Sequence, residues 1–157
     1  MSVDGTDCPI YEPSPWNKKW YSHKFTSAGL RYEIGVGLQS GNICWVNGPF
    51  PAGSWPDLKI FKSKLVNRLG PNEKVEADCG YRHHKCRMPG EFVSLSDKRA
   101  KKARARHETV NARLRQFGCL SQNFRHELWK HQICFEAVVV CTQIAFYNGE
   151  GPFPITY

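Results

Sequence analysis

The chain has 157 residues, 41% of them apolar, and a formal charge of +8 from 22 Lys and Arg against 14 Asp and Glu. That length suits one domain with its own core, and the charge suits a polyanion such as DNA or RNA. No apolar run reaches the ~18 residues of a membrane span and Met1 to Thr6 lacks the features of a secretory signal, which excludes a transmembrane helix and predicts a soluble, unsecreted protein.

Met1 to Val3 reads as the end of a first, truncated strand that delivers Asp4, and Pro9 to Trp20, with Pro13 and Pro15, as an irregular surface loop. From Leu30 to Gln39 apolar residues alternate strictly, so Leu30, Tyr32, Ile34, Val36 and Leu38 share one face of a half-buried strand. Ser40-Gly41-Asn42 turns the chain, Ile43 to Val46 returns as a hairpin arm, and Gly48 to Gly53 (Gly-Pro-Phe-Pro-Ala-Gly) is expected to break the sheet. A capping-box-like Ser54-Trp-Pro-Asp57 then opens a helix with Leu58, Phe61, Leu65 and Leu69 on its inner face, stopped by Gly70-Pro71. Lys74 to Asp78 is a short strand. After a turn rich in His, Cys, Pro and Gly, Ser96 caps a basic helix whose buried stripe is Ala103, His107, Val110, Leu114 and Phe117. Arg125 to Tyr147 is a last helix stopped near Gly149, against which the β-branched run Val138 to Val140 argues. The order predicts an α/β fold, a mixed sheet covered by helices.

Glu108 is the single acid between Lys98 and Arg115. On a helix, Lys101, Arg104, Glu108 and Arg115 share nearly one face, so cations frame this carboxylate. Asp4 and Asp78 both follow strand residues, and side chains at neighbouring strand ends gather in open mixed sheets. Three hard oxygen ligands converging there, Asp4, Asp78 and Glu108, suit two Mg²⁺ or Mn²⁺ ions about 3.5 to 4 Å apart acting on a phosphodiester. Asp57 is the rival second carboxylate, with a competing role at its helix N-terminus. Asp7 reads as a turn or loop residue.

These residues resemble the DDE transposase superfamily in its Harbinger-like endonuclease branch. The resemblance rests on Val3 to Thr6 (Val-Asp-Gly-Thr), Tyr21 to Phe25 (Tyr-Ser-His-Lys-Phe) as a Lys-containing second strand, and Gly48 to Gly53 followed by Trp55-Pro-Asp-Leu58. It continues in Glu76 to Tyr81 (Glu-Ala-Asp-Cys-Gly-Tyr) and Arg106 to Asn111 (Arg-His-Glu-Thr-Val-Asn), with Arg104 four residues before Glu108 and Arg115 seven after it. Lys101 stands where the family signature has Tyr. The resemblance implies an RNase H-like fold over residues 1–157 as a fragment lacking an upstream DNA-binding region. It implies catalytic and metal-binding Asp4, Asp78 and Glu108, and strand cleavage or transfer on DNA. Lys24, Arg82, Lys101, Arg104 and Arg115 are the expected DNA contacts, with an upstream or separate DNA-binding protein as a further partner. A nuclear location is expected in a eukaryote and a cytoplasmic one otherwise. The alternative within the family is a catalytically silent DNA-binding or chromatin-associated descendant. Outside it stands a basic RNA-binding protein with fortuitous carboxylates, which distant Asp4 and Asp78 would favour.

Cys79, His83, His84 and Cys86 offer zinc-type ligands, but their spacing fits no closed zinc module. Seven scattered cysteines predict free thiols. The basic run from Lys98 to Arg106 reads as a localisation signal, a phosphate-contacting face or solvated surface, and Trp16, Trp20 and Trp55 as packing residues before base-stacking ones.

Overall fold

A computed structural model of the chain describes residues 1–87 and 95–152, with side chains at 95–100 left outside the description. The Ser96 cap and the side chains of Lys98 and Arg99 therefore lie outside the described residues. The strands are β1 (Ser2–Pro9), β2 (Tyr21–Ser22), β3 (Ser27–Val36), β4 (Ile43–Pro51), β5 (Val75–Glu76) and β6 (Cys86–Arg87), and the helices α1 (Asp57–Ser63), α2 (Leu95–Leu114), α3 (Gly118–Ser121) and α4 (Leu128–Ala145). The fold is mixed α/β, a six-stranded mixed sheet flanked by helices. No described helix is long and apolar enough to cross a membrane.

β3 pairs antiparallel with β1, β2 and β4, whereas β1, β5 and β6 run parallel in sequence across the sheet. The antiparallel and parallel halves therefore meet at β1. This strand is not a truncated stub with Asp4 at its end: it has eight residues, registered from Ser2↔Val36 to Pro9↔Gly29, and Asp4 is its third. The turn-like residues Gly5, Asp7 and Pro9 are held extended by tertiary partners. Asp7 is a buried strand residue, not a loop aspartate, and it accepts from Arg31 Nε at 2.6 Å and Nη2 at 2.9 Å and from Ser22 Oγ at 2.6 Å.

The alternating face of β3 is core, as its period demands. Leu30, Tyr32, Ile34 and Val36 pack with Val110, Leu114, Leu120, Phe135 and Val138 from the helices and with Phe124 between α3 and α4. Tyr32 stacks flat on Phe135, centroids 3.7 Å apart, and its hydroxyl meets His131 Nδ1 at 2.7 Å. The other face of β3 is not solvated, since Glu33 is fully buried and Arg31 pairs with Asp7. There Val3, Phe61, Leu65, Leu69, Val75, Ala77, Tyr81 and Cys86 form a second core.

β4 runs through Gly48, Pro49, Phe50 and Pro51 rather than ending before them. Its recorded pairing is with β3 alone, through two register shifts, and on such an edge a proline sacrifices no ladder bond. Ser54 does not cap α1; its hydroxyl reaches Pro51 O at 3.4 Å, and Asp57 is the first helical residue. Phe117 falls beyond the end of α2 and is 39% exposed, so it leaves the expected buried stripe. Val138 to Val140 are helical because Val138 packs inward with Phe135, and tertiary burial outweighs the β-branched preference for strands.

Candidate functional site

β1 and β5 pair at Ser2↔Glu76. Two residues further along each chain stand Asp4 and Asp78, and the two-residue side-chain period sends both toward the face that α2 covers. α2 is fixed there by His107, whose Nδ1 meets Ser2 Oγ at 3.0 Å, and by Asn111, whose Nδ2 donates to Asp4 Oδ2 at 3.5 Å. A cavity of about 90 Å³ results, lined by Asp4, Asp78 and Glu108 together with Ser2, Val3, Glu76, Ala77, Arg104 and His107. The three expected carboxylates and Arg104 thus share one cavity, although they are spread over more than a hundred residues of chain.

Its electrostatics follow from burial. Desolvation pushes the Asp4 carboxyl up to about 6, against the pull of the Lys24 charge and of the Gly5 N–H, which donates to Asp4 Oδ1 at 2.8 Å; neighbouring Asp78 and Asp57 push it further up. Burial also raises Glu76, with Arg87 and Arg104 opposing. His107 is pushed down to about 4 by burial, so at neutral pH it lines the wall as a neutral ring.

Asp57 reaches the same region from the opposite face. A Cβ on Gly5 would collide with Asp57 Oδ1, so only glycine leaves room for this carboxylate against β1. At Gly80 a Cβ would lie 3.0 Å from Asp78 Oδ1 and 3.7 Å from Asp57 Oδ2, which brings the two acids together over one glycine. Arg31 Nη1 stands 3.5 Å from Asp57 Oδ1. Asp78, by contrast, is an exposed wall of the cavity that Glu108 also lines, and its Oδ1 is oriented by the Gly80 N–H at 2.8 Å. Asp78 lines the cavity with Asp4 and Glu108, whereas Asp57 stands near Asp4 without lining it.

The expected DNA-contacting cations divide into groups. Arg104 lines the cavity. Lys101 is exposed on the same helix, one turn closer to its N-terminus, and Arg82 is exposed between β5 and β6. Lys24 sits in the turn after β2 rather than on a strand, and its Nζ donates to Gly5 O at 2.7 Å, beside Asp4. Arg115 lies past the end of α2, where its charge acts on the Cys8 thiol at the other end of β1. Seven positions separate it from Glu108, about 10 Å of rise along a helix axis.

The zinc-type cluster does not assemble. Cys86 is buried in the second core, while His83 packs edge-on to Phe61 and against His84. Among the described residues no three His, Cys, Asp or Glu side chains form a ready-made metal-holding group. No disulfide joins the described cysteines. Trp55 packs between Phe50 and Lys59, and Trp20 against the first core.

Sequence reasoning missed the acid cluster behind the site. Glu33 is fully buried, accepts from Trp45 Nε1 at 2.8 Å, and is pushed up to about 7 by burial, with Trp45 opposing and Asp57 adding to the rise. Its unfolded pKa lies near 4.5. Below that value the proton is held in both states and costs folding nothing; between 4.5 and 7 the unfolded chain alone ionises, and stability is lost as pH rises through the folded pKa. Glu33→Gln is therefore expected to melt like wild type at about pH 4 and to be more stable by roughly 1–3 kcal/mol above about pH 7. Thermal melts of both proteins across that range check this; parallel curves would contradict it. Comparison with family models, curated proteins and solved structures finds no match to this chain.

Proposed function

We propose that the chain is a DDE-type, divalent-metal-dependent nuclease or transposase-derived domain of RNase H-like fold. The observation that carries this reading is the shared cavity of Asp4, Asp78 and Glu108 where the antiparallel and parallel halves of the sheet meet. The strand path β4-β3-β1-β5-β6, antiparallel up to β1 and parallel beyond it, supports the finer fold assignment. Asp4 and Asp78 in one cavity also weigh against an RNA-binding protein with scattered, fortuitous acids.

The donor set fits hard divalent cations. It consists of carboxylate oxygens, and Asp4 is held protonated to about pH 6 by burial and neighbouring acids, a deficit of positive charge that a cation would fill. Asp4, Asp78 and Glu108 would hold Mg²⁺ or Mn²⁺, two ions in this reading. When bound, such ions activate a water or a 3′ hydroxyl and stabilise the leaving oxygen of a phosphodiester. The protein's own groups prepare the site. Asn111 and the Gly5 N–H orient Asp4, the Gly80 N–H orients Asp78, and Arg104 presents a guanidinium to a phosphate entering the cavity. Lys101 and Arg82 extend that positive rim, as a DNA backbone requires.

One observation favours the silent, DNA-binding reading. The Lys24 ammonium beside Asp4 already supplies part of the positive charge that a metal would bring. Supercoiled plasmid separates the two. Nicking that requires Mg²⁺ or Mn²⁺ and stops in EDTA is the expected result; DNA retention in EDTA with no nicking at any metal concentration would establish the silent form.

A further inference from the structure

We propose that the outer face of α4 is the docking surface for a second copy of this chain, antiparallel to the first about a two-fold axis near Val138. Five of the large apolar residues exposed among the described ones lie on α4 and the turn that follows it: Trp129 (65%), Ile133 (57%), Val140 (57%), Ile144 (53%) and Tyr147 (73%). With exposed Ala137 they recur at steps of four, four, three, four and three residues, confined to about 80° of helical arc. This is a continuous seam about 27 Å long. The inner face of the same helix is already used, since Phe135, Val138 and Thr142 are buried.

The seam reads nearly the same in both directions. Trp129 and Tyr147 are centred on position 138, and Ile133 and Ile144, like Ala137 and Val140, midway between 138 and 139. A two-fold axis there sets each residue opposite a residue of like size in the other copy, the self-complementarity of an isologous interface. The area fits as well. At about 150–250 Å² per aromatic side chain, the open parts of Trp129 and Tyr147 alone amount to roughly 250 Å², a large share of the ~800 Å² per partner that stable pairs bury.

Charge selects this occupant over others. From Trp129 to Asn148 the only Asp, Glu, Lys or Arg residues are Lys130, whose Nζ lies 5.3 Å from the centre of the Trp129 ring and pairs with Glu127, and Glu136. DNA or an anionic lipid surface would find a single cation there, already paired with Glu127, whereas two copies of a chain charged +8 repel least where the surface is nearly neutral. No residue of α4 lines the carboxylate cavity, so pairing leaves that site open.

Sedimentation of the full chain over a dilution series tests this. Wild type is expected to sediment at twice the 18.0 kDa of one chain. Ile133→Lys and Ile144→Glu, both on the solvent face, are each expected to weaken pairing at least ~30-fold while keeping the wild-type circular dichroism spectrum. Antiparallel pairing sets position 133 of one copy against 144 of the other, so the double variant Ile133→Lys/Ile144→Glu recovers the dimer. A monomeric wild type, single variants that pair as tightly as wild type, a monomeric double variant, or a wild type that instead binds anionic vesicles through this face would each overturn the proposal.

Discussion

Glu108→Gln is expected to lower metal-dependent plasmid nicking by more than about 10²-fold while leaving the fold and DNA retention intact. The amide keeps the size of the carboxylate and removes only its charge, and charge is what a site for hard divalent cations demands of this residue. Glu108 is exposed on α2, so the substitution should change stability by no more than about 0.5 kcal/mol. Retention of DNA should not fall either, because a negative charge is removed beside Arg104 from a chain already at +8. Wild-type cleavage by the variant, at equal protein and metal, would remove Glu108 from the chemistry. A loss of cleavage accompanied by a lowered melting temperature would point instead to a structural role.

Arg106→Ala should produce the largest loss of stability among the described cations of α2. Arg106 is 2% exposed although it belongs to the basic run of α2. Its Nη1 lies 2.9 Å from Leu38 O, 3.2 Å from Gln39 O and 3.5 Å from Gly37 O, gathering the carbonyls of the turn that joins β3 to β4. Gly41, at φ +74°, lets this turn approach the guanidinium: a Cβ there would lie 3.3 Å from Arg106 Cδ. Removing the side chain strands those carbonyls and leaves a void, at a cost of roughly 3–4 kcal/mol. In a chain of this length that lowers the melting temperature by about 10 °C. Arg106→Lys should recover little of it, because an ammonium cannot present the planar array of donors that a guanidinium does. A melt unchanged in Arg106→Ala would contradict the clamp.

Arg106 also marks the boundary of what the amino-acid sequence reveals. By type and neighbourhood it belongs to a solvated, phosphate-seeking run, and the contact that buries it lies about 68 residues away in a turn. No local pattern carries that information. The alternation from Leu30 to Val36 was legible because one face of β3 meets one core. Beyond Asp4, β1 was illegible: Gly5, Asp7 and Pro9 all signal a turn, and their extended conformation depends on Arg31, Ser22 and Asp57 arriving from elsewhere. The persistence of β4 through two prolines likewise depends on its edge position, which spacing does not encode.

The lining of the cavity was more legible than the strands around it. Asp4, Asp78 and Glu108 were chosen by topology and by resemblance, and all three line one cavity. His107 was expected as a core residue and is both buried and part of the cavity wall. Glu33 was hidden by the alternation itself, which marks its face as solvated, while Trp45 and the α1 side of the sheet cover it.

The central claim is that Asp4, Asp78 and Glu108 bind divalent cations together, and a calorimetric titration with Mn²⁺ tests it most directly. Wild type should bind Mn²⁺, and binding should release an increasing fraction of a proton as pH falls toward about 6. Its apparent affinity should fall as pH drops through about 6, where Asp4 takes up the proton that competes with the ion. Asp4→Asn should abolish both the binding and that pH dependence. Wild-type protein that binds no Mn²⁺ at neutral pH, or Asp4→Asn that binds it as tightly as wild type, would contradict the claim.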